Sequence, residues 1–327
     1  MSPPRKLAGL LCLLLAAVPA RCADAAAGLD LESSQEPTAW TVLYQGKKVL
    51  VYSFAPQKFK PYVKELYTLS GHNILRDAPF DHLHHHALMY GIKINGINFW
   101  EEVSGCGVQK PIQTSKPVLG FVEAPGGRLP QAKFTQVLHW VAPQDAFLPE
   151  AAPVALLIER RTLTLTVNPA VQEVALEWQS QFQAGNKTNT VTLTGANYHG
   201  LGLRFLQDLD PLAAHSLAGV RPDLANGRQD TSAAPWASVS FDAPGRAATV
   251  ALAGHPSNLR GDAVFFSMLS PFAYLSATQR LDQEPLVFRT GETFQLHYLV
   301  LLYPDTKPSE SLRQHVEAWR NEPQQDH

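Results

Sequence analysis

Four histidines and an aspartate fall within six consecutive positions of this 327-residue chain, in the stretch DHLHHH at residues 81–86. The chain holds 12 histidines in all, so one third of them lie here. Imidazoles titrate close to neutral pH and bind divalent metals. The stretch therefore predicts an acid–base site, or a site for one divalent metal ion held by His82, His84 and His86. The alternative is that these histidines bond to backbone groups of a loop.

A β-hairpin is predicted directly after the histidines, because the Asn95–Gly96 pair accepts the positive φ angles that a two-residue turn needs. In that register Tyr90 lies opposite Glu101. Side chains alternate between the two faces of a strand, so His85 is predicted on the face opposite to His84, unless the chain is still in a loop there. The residues predicted to share one face are His84, His86, Leu88, Tyr90 and Glu101.

Two further stretches place polar groups beside glycine. In ANYHGLGLRF, His199 and Arg204 flank two glycines, where missing side chains would let a ligand approach the backbone. In LAGHPSNLRGD, His255 and Asn258 fall in a loop. For the first stretch, the alternative is a bulged strand with a surface arginine. For the second, the alternative is a turn that Asn and Ser build beside proline. No Walker loop, dinucleotide fingerprint, HExxH or GxSxG motif occurs in the sequence.

The surrounding elements read as strands. Alternating and β-branched runs such as KKVLVYSF, TLTLTV and TFQLHYLVLLY recur between Gly, Pro and Asn residues. A helical period appears only near the C-terminus, where Leu312, Val316 and Trp319 fall on one face of a helix at about 309–320. These patterns predict an all-β protein. We expect a large antiparallel β-sandwich with a short C-terminal helix, in a single domain over residues 26–327.

The N-terminus, residues 1–25, has the layout of a cleavable signal peptide, with Arg5 and Lys6, an apolar core and then small residues. We expect a secreted or periplasmic protein without membrane insertion, because no later stretch is long enough to span a bilayer. Cleavage would remove three positive charges and one negative charge, which moves the formal charge from −2 to −4. Such acidity argues against nucleic-acid partners. Cys106 would then be the only cysteine, which excludes an intrachain disulfide.

The order of these motifs resembles the PmoA-like family of exported bacterial proteins, whose typical core motif is Asp-His-Pro-His-His-Arg-Gly-Leu. The ordered stretches are DHLHHHALMYGIKINGINFWEE, YHGLGLR, GHPSN, FFSMLSPFAY and TGETFQLHYLVLL, and the resemblance runs from about residue 40 to 303. It implies a β-supersandwich similar to galactose mutarotases and some polysaccharide lyases, in which histidines and a carboxylate lie over a sugar. A membrane oxygenase, which the family's name invokes, would need several apolar helices that this sequence does not have.

Most positions of the family motifs are present, and a few differ. The matching residues are Asp81, His82, His84, His85, Gly200, Gly202, Arg204, His255, Pro256, Ser257 and Asn258. Leu83 stands in place of the usual proline, His86 in place of arginine and Ala87 in place of glycine. His199 stands where many relatives carry an acidic residue, so chemistry that needs this acid would be altered here.

We therefore expect a carbohydrate-active protein that acts on a sugar or sugar-derived substrate by acid–base proton transfer, as an epimerase or a lyase does. The expected catalytic residues are His84, His85, His199 and His255. The expected substrate-binding residues are His82, Glu101, Arg204 and Asn258. One alternative is a non-catalytic sugar-binding module with the same cleft. The other is a metal-dependent enzyme, including the family's oxygenase label, with His82, His84 and His86 as ligands.

Overall fold

The computed structural model describes residues 23–25, 30–55, 58–146, 154–224 and 229–322. Within these ranges the chain forms 23 strands, two short 3₁₀ turns at Pro143–Asp145 and Asp210–Leu212, and one helix, α1 (Ser309–Arg320). The strands are, in chain order, β1 (Ala23–Ala25), β2 (Leu31–Glu36), β3 (Ala39–Tyr44), β4 (Lys47–Ser53), β5 (Tyr62–Leu66), β6 (Leu88–Gly91), β7 (Lys93–Ile94), β8 (Ile97–Asn98), β9 (Val108–Thr114), β10 (Val118–Ala124), β11 (Gly127–Val141), β12 (Leu157–Asn168), β13 (Glu173–Ala184), β14 (Thr190–Thr194), β15 (Gly200–Arg204), β16 (Ala213–Leu217), β17 (Gln229–Ala233), β18 (Trp236–Phe241), β19 (Ala248–Gly254), β20 (Val264–Met268), β21 (Tyr274–Thr278), β22 (Leu286–Arg289) and β23 (Thr293–Tyr303).

Over the described residues, these strands form three antiparallel sheets. The ten-stranded sheet has the order β1-β2-β3-β4-β5-β6-β15-β21-β20-β17. The nine-stranded sheet has the order β10-β11-β12-β13-β23-β19-β18-β16, with β9 paired to β11. A four-stranded sheet has the order β22-β14-β7-β8. The predicted all-β class, a large antiparallel sandwich with a short C-terminal helix, is confirmed.

The two large sheets pack face to face through aromatic side chains. Trp40 on β3 stacks on Phe134 of β11 with 5.0 Å between ring centroids. Tyr52 on β4 meets Trp178 of β13 edge to face at 6.5 Å. These side chains are buried because alternate residues of each strand point into the sandwich. Burial of one such ring stabilises the fold by about 1.5–3 kcal/mol.

A buried ion pair lies within this core. Arg161 and Glu159 are 1% and 0% exposed, with 2.8 Å between Nε and Oε1. All five guanidinium N–H groups have acceptors, which are both oxygens of Glu159, the hydroxyl of Tyr52, the carbonyl of Pro61 and the amide oxygen of Gln109. A buried charge is tolerated when its polar groups are satisfied in this way. The pair thereby links β12 of one sheet to β4 of the other.

The C-terminal helix packs on the outer face of the nine-stranded sheet. Its apolar side chains Leu312, Val316 and Trp319 are buried in a cluster with Leu299 and Leu301 of β23. The predicted face of the helix is therefore the one that packs, and α1 covers part of a sheet face that strand alternation would otherwise expose.

The Asn95–Gly96 turn forms the predicted two-residue hairpin, in which Ile94 pairs with Ile97. This pairing does not continue as far as Glu101, so the predicted position of Tyr90 opposite Glu101 is wrong. Tyr90 pairs instead with a residue of β15 and is buried in the sandwich core. The reason is that β6 belongs to the ten-stranded sheet and β7 to the four-stranded sheet.

The predicted signal peptide, residues 1–25, lies outside the described residues except for β1. In the ranges that the structure describes, no helix combines the length and the hydrophobicity that crossing a bilayer requires.

Candidate functional site

A cavity of about 370 Å³ opens on the face of the ten-stranded sheet that points away from the sandwich core. Leu201 and Leu203 of β15 belong to that core, so Gly202 and Arg204, which alternate with them, lie on the opposite face. The polar lining residues are His82, His84, His85, Glu101 and Tyr198. The apolar and aromatic ones are Trp100, Phe266, Met268, Pro271, Phe272 and Tyr274.

Two glycines in the sheet make room for the aromatic walls. A Cβ on Gly202 would overlap the hydroxyl of Tyr274, which comes from the neighbouring β21. A Cβ on Gly91 of β6 would lie 2.8 Å from the carbonyl oxygen of Phe99 and 2.9 Å from the Cα of Trp100. The space beside β15 that the sequence predicted for a ligand is therefore filled at Gly202 by a protein side chain.

The histidine stretch is a turn and not the start of a strand. The backbone N–H of His82 donates to Pro79 at 3.0 Å, and that of His85 donates to His82 at 2.9 Å. Ala87 then takes a left-handed conformation, φ 51°, immediately before β6. Strand alternation does not hold in a turn, so the opposite faces predicted for His84 and His85 in a strand are not found, and the alternative of a loop at His85 is the one that occurs. Both residues line the cavity.

The rings of His84 and His85 meet edge to face with 4.6 Å between centroids, and both contact Trp100. Burial lowers the pKa of His84 below its ordinary value. Burial and then the neighbouring His84 lower the pKa of His85 to about 2. Both imidazoles are therefore neutral near pH 7. His85 is 6% exposed and stays neutral over any working pH, so His84 is the one whose protonation can change during a reaction.

Glu101 is the carboxylate of the cavity. The hydroxyl of Tyr198 donates to its Oε1 at 2.7 Å, and the side-chain amide of Asn98 donates to its other oxygen. Burial raises the pKa of Glu101, but these two hydrogen bonds outweigh it, and the pKa lies below its ordinary value. Glu101 is therefore ionised near neutral pH and acts as an acceptor.

His199 lies behind the cavity wall, against the indole of Trp100, and is 2% exposed. Within the described residues, neither of its ring nitrogens has a hydrogen-bond partner. Burial lowers the pKa of His199 to about 4. The structure thus stacks His199 on Trp100 and leaves it out of the cavity lining, and its expected catalytic role stays a prediction.

Arg204 supports the opposite wall. Its guanidinium lies 3.5 Å from the ring centroid of Phe272, which in turn contacts the ring of His82 at 5.0 Å. Asp81 and Asp210 flank the guanidinium at 3.9 Å and 3.6 Å. Burial lowers the pKa of Arg204 to about 10, which leaves it charged. Arg204 is 2% exposed and not among the lining residues, so the structure places it behind Phe272 and outside the cavity. Its expected role in holding substrate oxygens stays a prediction.

His86 belongs to a buried ion network next to the cavity. Its Nδ1 donates to Asp77 at 2.7 Å, and its Nε2 donates to Glu102 at 2.9 Å. The ammonium of Lys60 donates to the same oxygen of Glu102 at 2.8 Å and to the carbonyl of Trp100 at 3.0 Å. Burial alone would lower the pKa of His86, but the two carboxylates raise it above its ordinary value. The network therefore fixes the backbone of Trp100.

The metal trio predicted from the sequence is not assembled. His82 and His84 line the cavity, whereas both ring nitrogens of His86 are occupied by carboxylates. Across the part of the chain that the structure describes, no group of three or more His, Cys, Asp or Glu side chains is placed to hold a metal ion. The residues present do not fit the divalent ion that the histidine count suggested.

His255 and Asn258 lie near the C-terminal helix and not in the cavity. The ring of His255 contacts those of Trp319 at 5.3 Å and His297 at 5.5 Å. Asn258 exchanges two hydrogen bonds with the backbone of His297, at 2.9 Å and 2.6 Å. The motifs DHLHHH and YHGLGLR therefore meet at the cavity. The third motif, GHPSN, lies instead near α1.

Sequence reasoning gave no site role to the aromatic stretch FFSMLSPFAY, although it quoted this stretch. Phe266, Met268, Pro271, Phe272 and Tyr274 of this segment form much of the cavity wall. The signal that could have identified them is the density of aromatic side chains around a proline, where β20 turns into β21. Tyr198, beside the predicted His199, was missed as well.

The family that matches the chain is described as a family of unknown function (DUF6807), and the match covers residues 39–317. The match spans well over half of the chain, so the protein belongs to this family. No curated protein matches the chain in sequence. The resemblance to the PmoA-like family stays a prediction.

Several solved structures are similar in fold at low identity. The family 36 alpha-galactosidase AgaB from Geobacillus stearothermophilus has a TM-score of 0.46 at 10% identity, covering 86% of this chain and 41% of its own. The alpha-galactosidase AgaA from the same organism, in complex with stachyose, has a TM-score of 0.44 at 11% identity, and the match covers 88% of this chain and 42% of AgaA. A galactose mutarotase related enzyme from Lactobacillus acidophilus has a TM-score of 0.25 at 8% identity, covering 84% and 98%. The chain thus spans about two fifths of the length of the galactosidases, and its ligand is inferred from its own cavity.

Proposed function

We propose that this member of the DUF6807 family binds a carbohydrate in the cavity and that His84 and Glu101 carry proton transfer on it. The observation that supports this most is that an ionised carboxylate and a neutral imidazole share one cavity with the indole of Trp100. A sugar ring offers apolar C–H faces to aromatic walls and hydroxyls to the polar groups. The volume also falls in the range of about 300–1,000 Å³ that is usual for small-molecule sites.

In this proposal His84 is the base. Its neutral ring accepts a proton from a sugar hydroxyl, or from the carbon beside a carbonyl, and the electron pair of the broken bond stays on the substrate. The imidazolium that forms gives this proton to the oxygen whose bond to carbon breaks. That oxygen is the ring oxygen in an epimerase, where the opened sugar can close again on the other face, or the leaving oxygen in a lyase. Glu101 accepts a hydrogen bond from a neighbouring hydroxyl and stabilises the imidazolium by its charge. Epimerase and lyase reactions both begin with such a proton removal.

A second candidate is a sugar-binding module without catalysis. It is favoured by the protonation states at the centre of the cavity, because His84 and Glu101 both accept protons near neutral pH. The hydroxyl of Tyr198 donates to Glu101, and the pKa of Tyr198 is raised by burial and by that carboxylate, so it is a poor general acid. His199 lies behind Trp100 and outside the cavity lining, so it is not placed to act as the acid either.

Calorimetric titration against monosaccharides, uronic acids and oligosaccharides, followed by NMR analysis of products, separates these candidates. We expect binding of at least one sugar, and product formation that falls about 100-fold or more in His84→Ala and in Glu101→Gln. The control His72→Ala, in a loop outside the cavity lining, should match the wild type. Binding without product would support the module, and no binding by any sugar would reject both candidates.

We also propose that the protein is exported, from the predicted signal peptide at residues 1–25. N-terminal mass spectrometry of the protein recovered from the periplasm or medium of its host should show a chain that starts at Ala26. An exported protein that retains residues 1–25 would contradict this.

A further inference from the structure

Three exposed apolar residues adjoin cavity-lining residues along the chain. Among the described residues, eleven large hydrophobic side chains are exposed, and Phe80 and Leu83 are the most exposed of those near the site, at 83% and 66%. Val103 at 54% follows Glu101 and Glu102 directly. Large apolar groups left in water around a concave site mark a surface that a ligand or partner covers.

Chain geometry places Phe80 and Leu83 at the rim. Leu83 stands between His82 and His84, both of which line the cavity, and neighbouring Cα atoms are about 3.8 Å apart. Phe80 occupies a central position of the turn that the hydrogen bond from His82 to Pro79 closes. The rim is therefore carried by two successive turns, Pro79–His82 and His82–His85, and the second of these also holds His84.

Asp81 stabilises the turns that carry this rim. The carboxylate of Asp81 accepts a hydrogen bond from Nδ1 of His82 at 2.9 Å and lies 3.9 Å from the guanidinium of Arg204. The backbone that carries these two exposed apolar side chains is therefore already ordered before a ligand binds. Binding then costs little additional conformational entropy in this segment.

The cavity lining combines polar and apolar groups. His84, Glu101 and Tyr198 supply polar groups, whereas Met268, Pro271 and Phe272 supply apolar ones. A free monosaccharide that binds in the cavity would leave the exposed rim uncovered. A ligand with one hydroxylated part and one apolar part would cover both regions.

We infer that the ligand is a glycoside with an apolar aglycone, of which the sugar lies against His84 and Glu101 and the aglycone covers Phe80 and Leu83. This inference rests on the proposed carbohydrate function and adds the substrate class. It makes the rim a specificity determinant for the aglycone and not for the sugar.

The test compares the dissociation constants of a free sugar and of its phenyl and octyl glycosides, measured by calorimetry over a panel of sugars. For at least one sugar, the wild type should bind a glycoside about tenfold or more tightly than the free sugar. In the double variant Phe80→Ala/Leu83→Ala this preference should fall to about twofold or less, with the affinity for the free sugar unchanged. Both side chains are exposed, so the variant should keep the circular dichroism spectrum of the wild type.

The matched control is Val118→Ala/Val287→Ala, which removes two exposed apolar side chains from strands outside the cavity lining and should leave the preference intact. Equal affinity for glycosides and free sugars in the wild type would overturn this inference and leave the proposed function standing. Failure of every sugar and glycoside to bind would overturn both. A dimer that is lost in the double variant while glycoside affinity is unchanged would show that the rim serves self-association, which would also overturn the inference.

Discussion

The imidazole of His199 lies parallel to the indole of Trp100, with 5.2 Å between ring centroids and 4° between ring planes. Trp100 touches His84 and His85 as well, so one indole joins the buried histidine to the two that line the cavity. In this stack the flat face of the imidazole packs on the indole, and its two buried nitrogens have no hydrogen-bond partner among the described residues.

The first prediction concerns His199. Replacing it by phenylalanine keeps an aromatic ring on Trp100 and removes two unsatisfied polar atoms, each of which costs about 1–3 kcal/mol when buried. We expect His199→Phe to raise the free energy of unfolding by about 1 kcal/mol, measured by urea denaturation, because the larger ring offsets part of the gain. Ligand affinity should stay within twofold of the wild type. Loss of turnover with intact binding would instead place His199 in the chemistry.

The second prediction concerns the glycine that admits Tyr274. A Cβ at position 202 overlaps the tyrosine hydroxyl, so Gly202→Ala should push the ring into the cavity. We expect a loss of about 1–3 kcal/mol in the free energy of unfolding and at least tenfold weaker ligand binding. The double variant Gly202→Ala/Tyr274→Phe should recover part of both losses. Gly120→Ala is the matched control, since a Cβ there meets nothing within 4 Å.

The third prediction follows from the raised pKa of His86. A raised pKa stabilises the fold below the ordinary pKa of about 6.5, and this contribution is lost as the pH rises through the folded-state pKa. His86→Gln removes a buried cation between two carboxylates and should cost about 3 kcal/mol at pH 6. The difference from the wild type should shrink as the pH rises above the folded-state pKa.

Urea denaturation of wild type and His86→Gln from pH 5 to pH 10 measures this difference. His72→Gln, which lies outside the network, should show only a small difference from the wild type. A difference for His86→Gln that grows with pH would mean that the imidazole is neutral in the folded protein.

The fourth prediction concerns the pH dependence of turnover. In the proposed mechanism the neutral form of His84 is the base, so kcat/KM should fall tenfold per pH unit below the pKa of His84, which lies under 6.5, and stay level to pH 8. The carboxylate of Glu101 opposes the lowering of that pKa, so Glu101→Gln should shift the inflection to lower pH. Glu123→Gln, an exposed carboxylate outside the cavity lining, should leave the profile unchanged. A rate that rises as the pH falls would show that His84 acts as an acid.

The parts of the fold that depend on local sequence could be predicted. Alternation identified strands, the Asn95–Gly96 pair set a hairpin, and the spacing of Leu312, Val316 and Trp319 located the helix. The face assignment of the histidines could not be predicted in this way, because Ala87 at φ 51° reverses the chain between the turn and β6. The resemblance places glycine at that position, which suits a left-handed conformation and was the available sign of a break.

The assembly of the site depends on pairing between distant strands, which one sequence does not reveal. The first two motifs meet because β6 and β15 are neighbours, whereas His255 is drawn toward Trp319 of the helix. The role of His86 also escaped prediction, because both of its partners are carboxylates that lie outside the histidine stretch.

The neighbouring strands β6, β15 and β21 have a consequence for folding. They bring together cavity residues as far apart in the chain as His82 and Tyr274. Contacts of such sequence separation form slowly, since a long loop must close before they stabilise anything. The cavity can therefore exist only after most of the chain has folded, and a ligand that binds it stabilises the folded state by mass action. A rise in melting temperature is thus a binding assay for this protein that needs no knowledge of its reaction.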